Sequence, residues 1–504
     1  MWLAVGLSVL SGVLLTLGFP TLEFYFVSWA ALVPLLFALQ GKSWQQAVLL
    51  GFLCGLSHYL TTLYWIRYVI YHYGGLPLPL AVMILLLLCS YLAIYPATFA
   101  LAANRLEGRP WLWLLGLPVI WVTLEWIRAH LLTGFPWANL GYTQTEFTRL
   151  AQISDITGVY GISWLLVLAN TSIVAFFRRS RLWAGIAITL LCVIAASLYG
   201  SWRLAVIERL QSQAAPWTVA VVQGNIDQSR KWDPLYQQET LDRYRNLSLQ
   251  AARHNPQPAL IVWPETAVPF FYGIEQELSL QLNEIIREVG VPILLGSPGA
   301  RLIEGEPRLL NSAYLITPEG RIIADYAKQH LVPFGEYVPY QRILFFVSKM
   351  VEAAGNFASG DDPSPMVIDD YHRIGVLICY EAIFPYLARL AVEHGATSFV
   401  NITNDAWFGA TSAPYQHKEI ARWRAIEFRV PMIRSANTGI STFFDATGKS
   451  FGNIPLNEQG YLVADVHPMH SLTFYARWGD LFAWLCVLST LCVLFYLGYR
   501  SRTG

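Results

Sequence analysis

Charge is what this sequence has little of. Only 13% of its 504 residues are Asp, Glu, Lys or Arg, against 55% hydrophobic residues. Soluble domains carry about 25% charged residues, so an ordinary water-soluble globular protein is excluded. An excess of either sign is also missing, since 34 basic and 34 acidic residues give a formal net charge of +0. No polycationic surface therefore invites nucleic acid. Cysteine is the third scarcity. Of six, Cys54, Cys89, Cys192, Cys486 and Cys492 lie in long apolar runs, where a thiol behaves as a small hydrophobe. Only Cys379 lies in a polar stretch, which excludes an internal disulfide there. With no CxxC and no Cys/His zinc spacing, neither a metal nor another cofactor is expected.

The charge that is present is unevenly placed. Residues 1–202 hold nine basic and five acidic residues, residues 480–504 hold Asp480, Arg500 and Arg502, and the other 51 charges lie between. The chain therefore reads as a membrane-soluble part and a water-soluble part. A spanning helix needs about 20 apolar residues. Eight runs approach this, at roughly 2–19, 24–40, 46–66, 77–103, 111–131, 157–177, 182–202 and 480–499, the second being short and containing Pro34. The first run lacks a basic leader and a small-residue cleavage site, and so reads as a retained span. With the N-terminus inside, the inner loops and tail collect Lys42, Arg105, Arg109, Arg178, Arg179, Arg181, Arg500 and Arg502, whereas the outer loops hold Arg67, Arg149 and the boundary residue Arg128. The excess of inner Lys and Arg predicts cytoplasmic termini and a large segment on the far side of the membrane, the periplasm in a bacterium. Arg67, His72, Arg128 and Glu125 lie near span ends, where snorkelling or, for Glu125 and Arg128, i,i+3 pairing accounts for them.

From Pro216 onward, short β-rich runs alternate with polar helical stretches. Strands are predicted at Trp217–Gln223, Ala259–Trp263, Pro292–Leu295, Ala313–Thr317, Ile374–Cys379, Ser398–Ile402, Met432–Ser435 and Thr442–Asp445. Helices are predicted at Pro234–Arg253, Gln276–Val289, Tyr386–His394 and Tyr415–Phe428. This alternation predicts an α/β domain, in which chemistry collects at the carboxyl ends of strands. Three residues occupy such places. Glu265 follows LIVWP, Lys328 lies at the end of the hairpin-like LITPEGRIIADYAKQH, and Cys379 ends IGVLIC. Singly they read as a turn cap, a surface lysine and a core thiol. Together they form a nucleophile, a carboxylate to take its proton and a cation to hold developing negative charge.

The segments IVWPET, YAKQHLVPFGEYVP and VLICYEAIFP around these residues resemble the nitrilase superfamily, whose catalytic set is Glu, Lys and Cys in that order. A nitrilase-like segment set between seven spans and one more resembles the apolipoprotein N-acyltransferase family over the whole chain. QGNIDQSRKW, TNDAWFG and GFPWANLGY add to that likeness. The implied organisation is a seven-span helical domain at 1–202, a linker at 203–215, a nitrilase-like αββα sandwich at 216–470 and a C-terminal transmembrane helix at 478–500. The implied activity moves a fatty acyl chain from a membrane glycerophospholipid to the α-amino group of the S-diacylglyceryl cysteine that begins an apolipoprotein, through a thioester on Cys379.

The resemblance assigns proton transfer to Glu265 and oxyanion binding to Lys328, with the backbone N–H of Tyr380 beside it. Glu336 and Glu381 read as partners that orient Lys328 and the nucleophile loop. Trp232 and Trp407 are candidate substrate contacts, although tryptophan is abundant here and the plain reading of each is core. Phe270 to Tyr272 and Ile343 to Val351 read either as membrane-dipping arms or as core. The partners implied are the phospholipid, the diacylated apolipoprotein and the membrane, with the protein a monomer in the inner membrane. Two competing readings share some features. A membrane-tethered amidase would use the same triad with water as acceptor, and a transporter or sensor whose outer domain only binds ligand would tolerate loss of Cys379.

Overall fold

A computed structural model of the chain describes residues 1–178, 183–303, 305–339, 357–470 and 472–503. The apolar run Ile343 to Val351 lies outside them. The chain divides into two compact units, one of Met1–Ala205 with Thr473–Gly504 and one of Val206–Leu472.

The first unit is helical. Among the described residues, five helices are long and apolar enough to cross a membrane: Leu78–Arg105, Pro110–His130, Tyr160–Arg178, Trp183–Gln213 and Leu481–Tyr499. A sixth crossing would be the pair Trp44–Thr62 and Trp65–His72, bent by 57°. The two remaining predicted spans are shorter than expected. Trp2–Leu17 has 16 residues, and the next run breaks into a 3-10 turn, Tyr25–Trp29, and a six-residue helix, Val33–Ala38. Pro34 explains the break, because it stands in the first turn of that helix and cannot continue one from before it. The stretch expected to be a linker is helical as far as Gln213. Glu125 and Arg128 are buried and hold the loop that follows their own helix. Glu125 Oε1 accepts from Leu140 N–H at 2.7 Å and from Trp121 Nε1 at 3.0 Å, and Arg128 donates to Asn139 Oδ1 at 2.7 Å.

The second unit is a two-sheet sandwich. Its strands are β1 (Trp217–Gln223), β2 (Leu260–Val262), β3 (Ile293–Ile303), β4 (Glu306–Ile316), β5 (Ile322–Ala327), β6 (Met366–Val367), β7 (Arg373–Ile378), β8 (Ser398–Thr403), β9 (Met432–Ala436), β10 (Ser441–Phe444), β11 (Ser450–Ile454) and β12 (Gly460–Val466). One sheet runs β12-β1-β2-β3-β4-β5 and the other β11-β10-β9-β8-β7-β6. The centre of each is parallel, β1-β2-β3 and β7-β8-β9, and antiparallel strands extend both sides.

Alternation along the strands sends one set of side chains between the sheets. Val219, Val221, Val262 and Leu294 from the first sheet share a core with Ile374, Val376, Val400 and Ile433 from the second. The opposite face of the first sheet, with Val222, Ile261 and Leu295, buries Leu241, Tyr244, Leu282 and Ile286 from the helices Pro234–Ala252 and Gln276–Val289. Phe270 and Tyr272 belong to that core too, so the apolar stretch after Glu265 is packing rather than an arm reaching for lipid. Two sheets with helices outside give the αββα order. Ser435 ties the sheets at the site end, its hydroxyl lying 3.2 Å from the carbonyl of Val222 and 3.1 Å from that of Val262.

Candidate active site

Two parallel strands, β2 and β7, and the antiparallel edge strand β5 deliver the chemistry. β2 ends three residues before Glu265, β5 ends immediately before Lys328, and β7 ends immediately before Cys379. All three side chains are buried, at 6%, 1% and 7% exposure respectively. Cys379 opens a 3-10 turn, Cys379–Ile383, with φ at +52°. That left-handed conformation is costly for a residue with a Cβ and occurs where a strand must turn sharply to present a nucleophile.

Lys328 sits between two carboxylates. Its Nζ donates to Glu336 Oε1 at 2.9 Å and lies 3.7 Å from Glu265 Oε1. Burial drives its pKa down, but Glu336, Glu265 and Cys379 together outweigh that and raise it, so the lysine remains a cation. Both oxygens of Glu265 accept hydrogen bonds, Oε1 from Asn311 Nδ2 at 2.7 Å and Oε2 from Asn404 N–H at 2.8 Å. Asn311 also donates to Glu336 Oε1 at 2.9 Å. Glu336 Oε2 closes its own loop by accepting from Val332 N–H at 2.7 Å.

The thiol feels both Glu265 and Lys328. Burial raises the Cys379 pKa, the charge of Glu265 raises it further, and Lys328 and a hydrogen bond with Thr403 oppose the rise without cancelling it. At rest the group is therefore a thiol beside a carboxylate rather than a preformed thiolate. Glu381 fastens the nucleophile turn to the lysine loop. Its Oε2 accepts from Ile378 N–H at 2.7 Å, while its Oε1 accepts from Gln329 N–H at 2.6 Å and His330 N–H at 3.1 Å. The Tyr326 hydroxyl donates to the same carboxylate at 3.0 Å.

This arrangement is a carboxylate, a cation and a thiol at converging strand ends, the constellation needed for acyl transfer through a covalent intermediate. Residues 11–172 match the apolipoprotein N-acyltransferase N-terminal domain, and residues 218–471 match the carbon-nitrogen hydrolase family. An apolipoprotein N-acyltransferase from Geobacter metallireducens is 43% identical, covering 99% of this chain and 95% of that one. The chain belongs to the apolipoprotein N-acyltransferase family. A relative of the same description from Methylococcus capsulatus is 34% identical over 95% of this chain and 93% of its own. A solved carbon-nitrogen hydrolase from Helicobacter pylori G27 is similar at 18% identity, with a TM-score of 0.40, covering 53% of this chain and 95% of that one. As a member of this family with several helices able to cross a bilayer, the chain is a bacterial membrane protein.

The two tryptophans singled out from the sequence are exposed, Trp232 at 52% and Trp407 at 38%. Each lies within three residues of one that touches Glu265. Trp232 follows Lys231, whose Nζ donates to the Glu265 carbonyl at 3.3 Å. Trp407 lies three residues after Asn404, in the 3-10 turn Asp405–Phe408. Tyr380 is half-buried, its ring 5.1 Å from that of Phe384 in an edge-to-face pair. Lys231 is one of the residues that the sequence reading passed over. It is 2% exposed, and burial lowers its pKa to about 8, with the charge of Glu265 limiting the fall. Asn311, Asn404 and His417 were likewise passed over. The nearest signal was positional: Lys231 and Asn404 lie inside QGNIDQSRKW and TNDAWFG, whereas Asn311 and His417 sit within an ordinary strand and helix.

Proposed function

We propose that this protein transfers a fatty acyl chain from a membrane glycerophospholipid to the α-amino group of the S-diacylglyceryl cysteine of an apolipoprotein, with Cys379 as carrier. The observation that carries the reading is the meeting of Glu265, Lys328 and Cys379 in one buried site, with Glu265 and Lys328 only 3.7 Å apart.

A thiol whose pKa is raised must lose its proton as it attacks, and Glu265 is the base at hand. The Cys379 sulfur forms a bond to the ester carbonyl carbon while the thiol proton passes to Glu265. The oxyanion of the tetrahedral intermediate is held by Lys328 and the Tyr380 N–H. The carbon–oxygen bond to the glycerol then breaks, Glu265 returns its proton to the leaving oxygen, and lysophospholipid departs. In the second half the lipoprotein amine forms a bond to the thioester carbonyl carbon, Glu265 takes the proton it sheds, the carbon–sulfur bond breaks, and Glu265 passes that proton to the departing sulfur, leaving the amide product and the free thiol. Division into two displacements suits a donor and an acceptor that occupy one site in turn, and ping-pong kinetics are expected. Glu336 and Glu381 keep Lys328 and the nucleophile turn in register, while Trp232 and Trp407 contact lipid at the mouth of the site. The protein works as a monomer, with both termini cytoplasmic and the catalytic unit on the periplasmic side.

The test is incubation with phospholipid labelled in its acyl chain. Wild-type protein is expected to gain a hydroxylamine-sensitive label that persists until a diacylated lipopeptide is added, and Cys379→Ala is expected to gain none. A label that survives in Cys379→Ala sinks the nucleophile assignment. Release of the label to water at the rate seen with lipopeptide turns the reading towards an amidase-like hydrolase.

A further inference from the structure

Beneath the nucleophile turn lies a charged cluster that the chemistry above does not use. His417, Asp405 and Arg434 are each 0% exposed. Arg434 lies 2.7 Å from Asp405 Oδ2 and donates as well to Asn401 Oδ1. Asp405 Oδ1 lies 3.0 Å from His417 Nδ1 and accepts from the Thr403 hydroxyl at 3.0 Å. Arg434 also approaches His417 Nδ1, at 3.2 Å. One face of the imidazole is thus fixed by two charged partners anchored on β9 and on the turn after β8. The other ring nitrogen, Nε2, lies 3.0 Å from the backbone carbonyl oxygen of Cys379. A carbonyl only accepts, so Nε2 carries the proton in that contact.

We propose that His417 is a positioning residue for the oxyanion site, acting through the Cys379–Tyr380 peptide. The carbonyl it holds belongs to the same planar unit as the Tyr380 N–H. In a trans peptide the two point in opposite directions. Tethering the carbonyl to a buried ring therefore aims the N–H away from the cluster. Cys379 has φ at +52°, a conformation that persists only where surrounding contacts hold it, and the His417 bond is one such contact. A hydrogen bond on the carbonyl also polarises the peptide and strengthens its N–H as a donor to developing negative charge. Buried charge around His417 thereby reaches the reaction without touching substrate. This inference rests on the assignment of the Tyr380 N–H to the oxyanion.

Two variants separate the halves of the ring. The amide nitrogen of Gln reaches to about where Nε2 stands, and that of Asn to about where Nδ1 stands. Single-turnover acylation of Cys379 by labelled phospholipid is compared with alkylation of the same cysteine by iodoacetamide, a displacement that forms no oxyanion. His417→Asn is expected to slow acylation by about tenfold or more while alkylation stays near the wild-type rate, and His417→Gln is expected to recover most of the loss. Equal slowing of both reactions, or no advantage of Gln over Asn, overturns the proposal. Wild-type protein labelled with ring-15N histidine and carbonyl-13C cysteine gives an arm that needs no variant. Solid-state NMR is expected to find a protonated Nε2 dipolar-coupled to the Cys379 carbonyl, and an unprotonated Nε2 there overturns the proposal even if both variants fail to fold. If wild-type protein forms no thioester at all, the acyl-transfer reading fails while the NMR result still decides the His417 contact.

Discussion

Glu381 shows how one buried carboxylate both builds the site and makes it sensitive to pH. Burial raises its pKa from 4.5 to about 7, and the N–H of Ile378, the charge of Lys328 and the N–H groups of His330 and Gln329 resist the rise. With a folded-state value above the unfolded one, the folded protein keeps a proton that the unfolded chain has released. The stability from that proton is complete below about pH 4.5 and is lost as pH climbs through about 7. Wild-type melting temperature is therefore expected to fall, relative to Glu381→Gln, across that interval. A difference between the two proteins that is flat with pH would contradict the buried-acid account. The Gln variant itself carries a cost. Whichever carboxylate oxygen becomes an amide NH2 group then faces a backbone donor, Ile378 N–H on one side or Gln329 N–H on the other. An unsatisfied buried group of this kind costs about 1–3 kcal/mol. Slower acylation should accompany the lower stability, because Gln329 adjoins Lys328 in the chain. Replacing Lys328 by Met removes an oxyanion contact outright and should cost roughly 10²- to 10³-fold in single-turnover acylation. A Met variant within tenfold of wild type would remove Lys328 from that role.

Elements place these side chains by close approach of backbone to backbone, as where β3 passes behind the Glu265 turn. A Cβ added at Gly296 would come within 2.5 Å of Thr266 N, 2.7 Å of Glu265 Cα and 2.8 Å of Pro264 O. These are main-chain atoms that have no rotamer to yield. Gly296→Ala is thus expected to displace Glu265 from Asn311 and Asn404 and to suppress thioester formation, although the substitution touches no reacting atom. Undiminished single-turnover acylation in that variant would mean that the turn tolerates displacement. The same strands explain what could be read from the sequence. β1, β2, β3, β4, β7, β8, β9 and β10 each fell on a predicted strand, most of them as apolar runs buried by the sandwich. The strands that escaped prediction, or were seen only as half of a hairpin-like stretch, are β5, β6, β11 and β12, the four sheet edges. An edge strand has one side open to water and carries polar residues that blur its period, as in NEQGYLVADV leading through β12. The site divides similarly. Glu265 and Cys379 stand out because each follows a readable strand, and Lys328 because it lies in a hairpin-like stretch, whereas Asn311 within β4 and His417 within the helix Ala413–Phe428 gain meaning only when folding brings distant strands together.

For the whole molecule the open matter is which side of the membrane each part faces, and parity reduces it to one comparison. The helix Trp2–Leu17 has 16 residues, about 24 Å at 1.5 Å per residue, short of a hydrocarbon core of about 30 Å. The broken run Tyr25–Ala38 is shorter still. If both cross, or if neither does, Lys42 lies on the same side as the N-terminus. If the bent pair Trp44–His72 is one span, then from Lys42 onward it and the four helices up to Trp183–Gln213 make five crossings. An odd number puts the catalytic unit opposite Lys42, and Leu481–Tyr499 brings the chain back. Along that path Lys42, Arg105, Arg109, Arg178, Arg179, Arg181, Arg500 and Arg502 all fall on one side, the pattern of cytoplasmic loops. Arg321, whose side chain is 76% exposed on the catalytic unit, supplies the outer probe, and Arg502 in the C-terminal tail supplies the inner one. In spheroplasts, Arg321→Cys is expected to react with a membrane-impermeant maleimide at once, and Arg502→Cys only after lysis. Labelling of both before lysis would mean that Leu481–Tyr499 does not cross the membrane. Labelling of Arg502→Cys alone would invert the protein and overturn the proposed orientation.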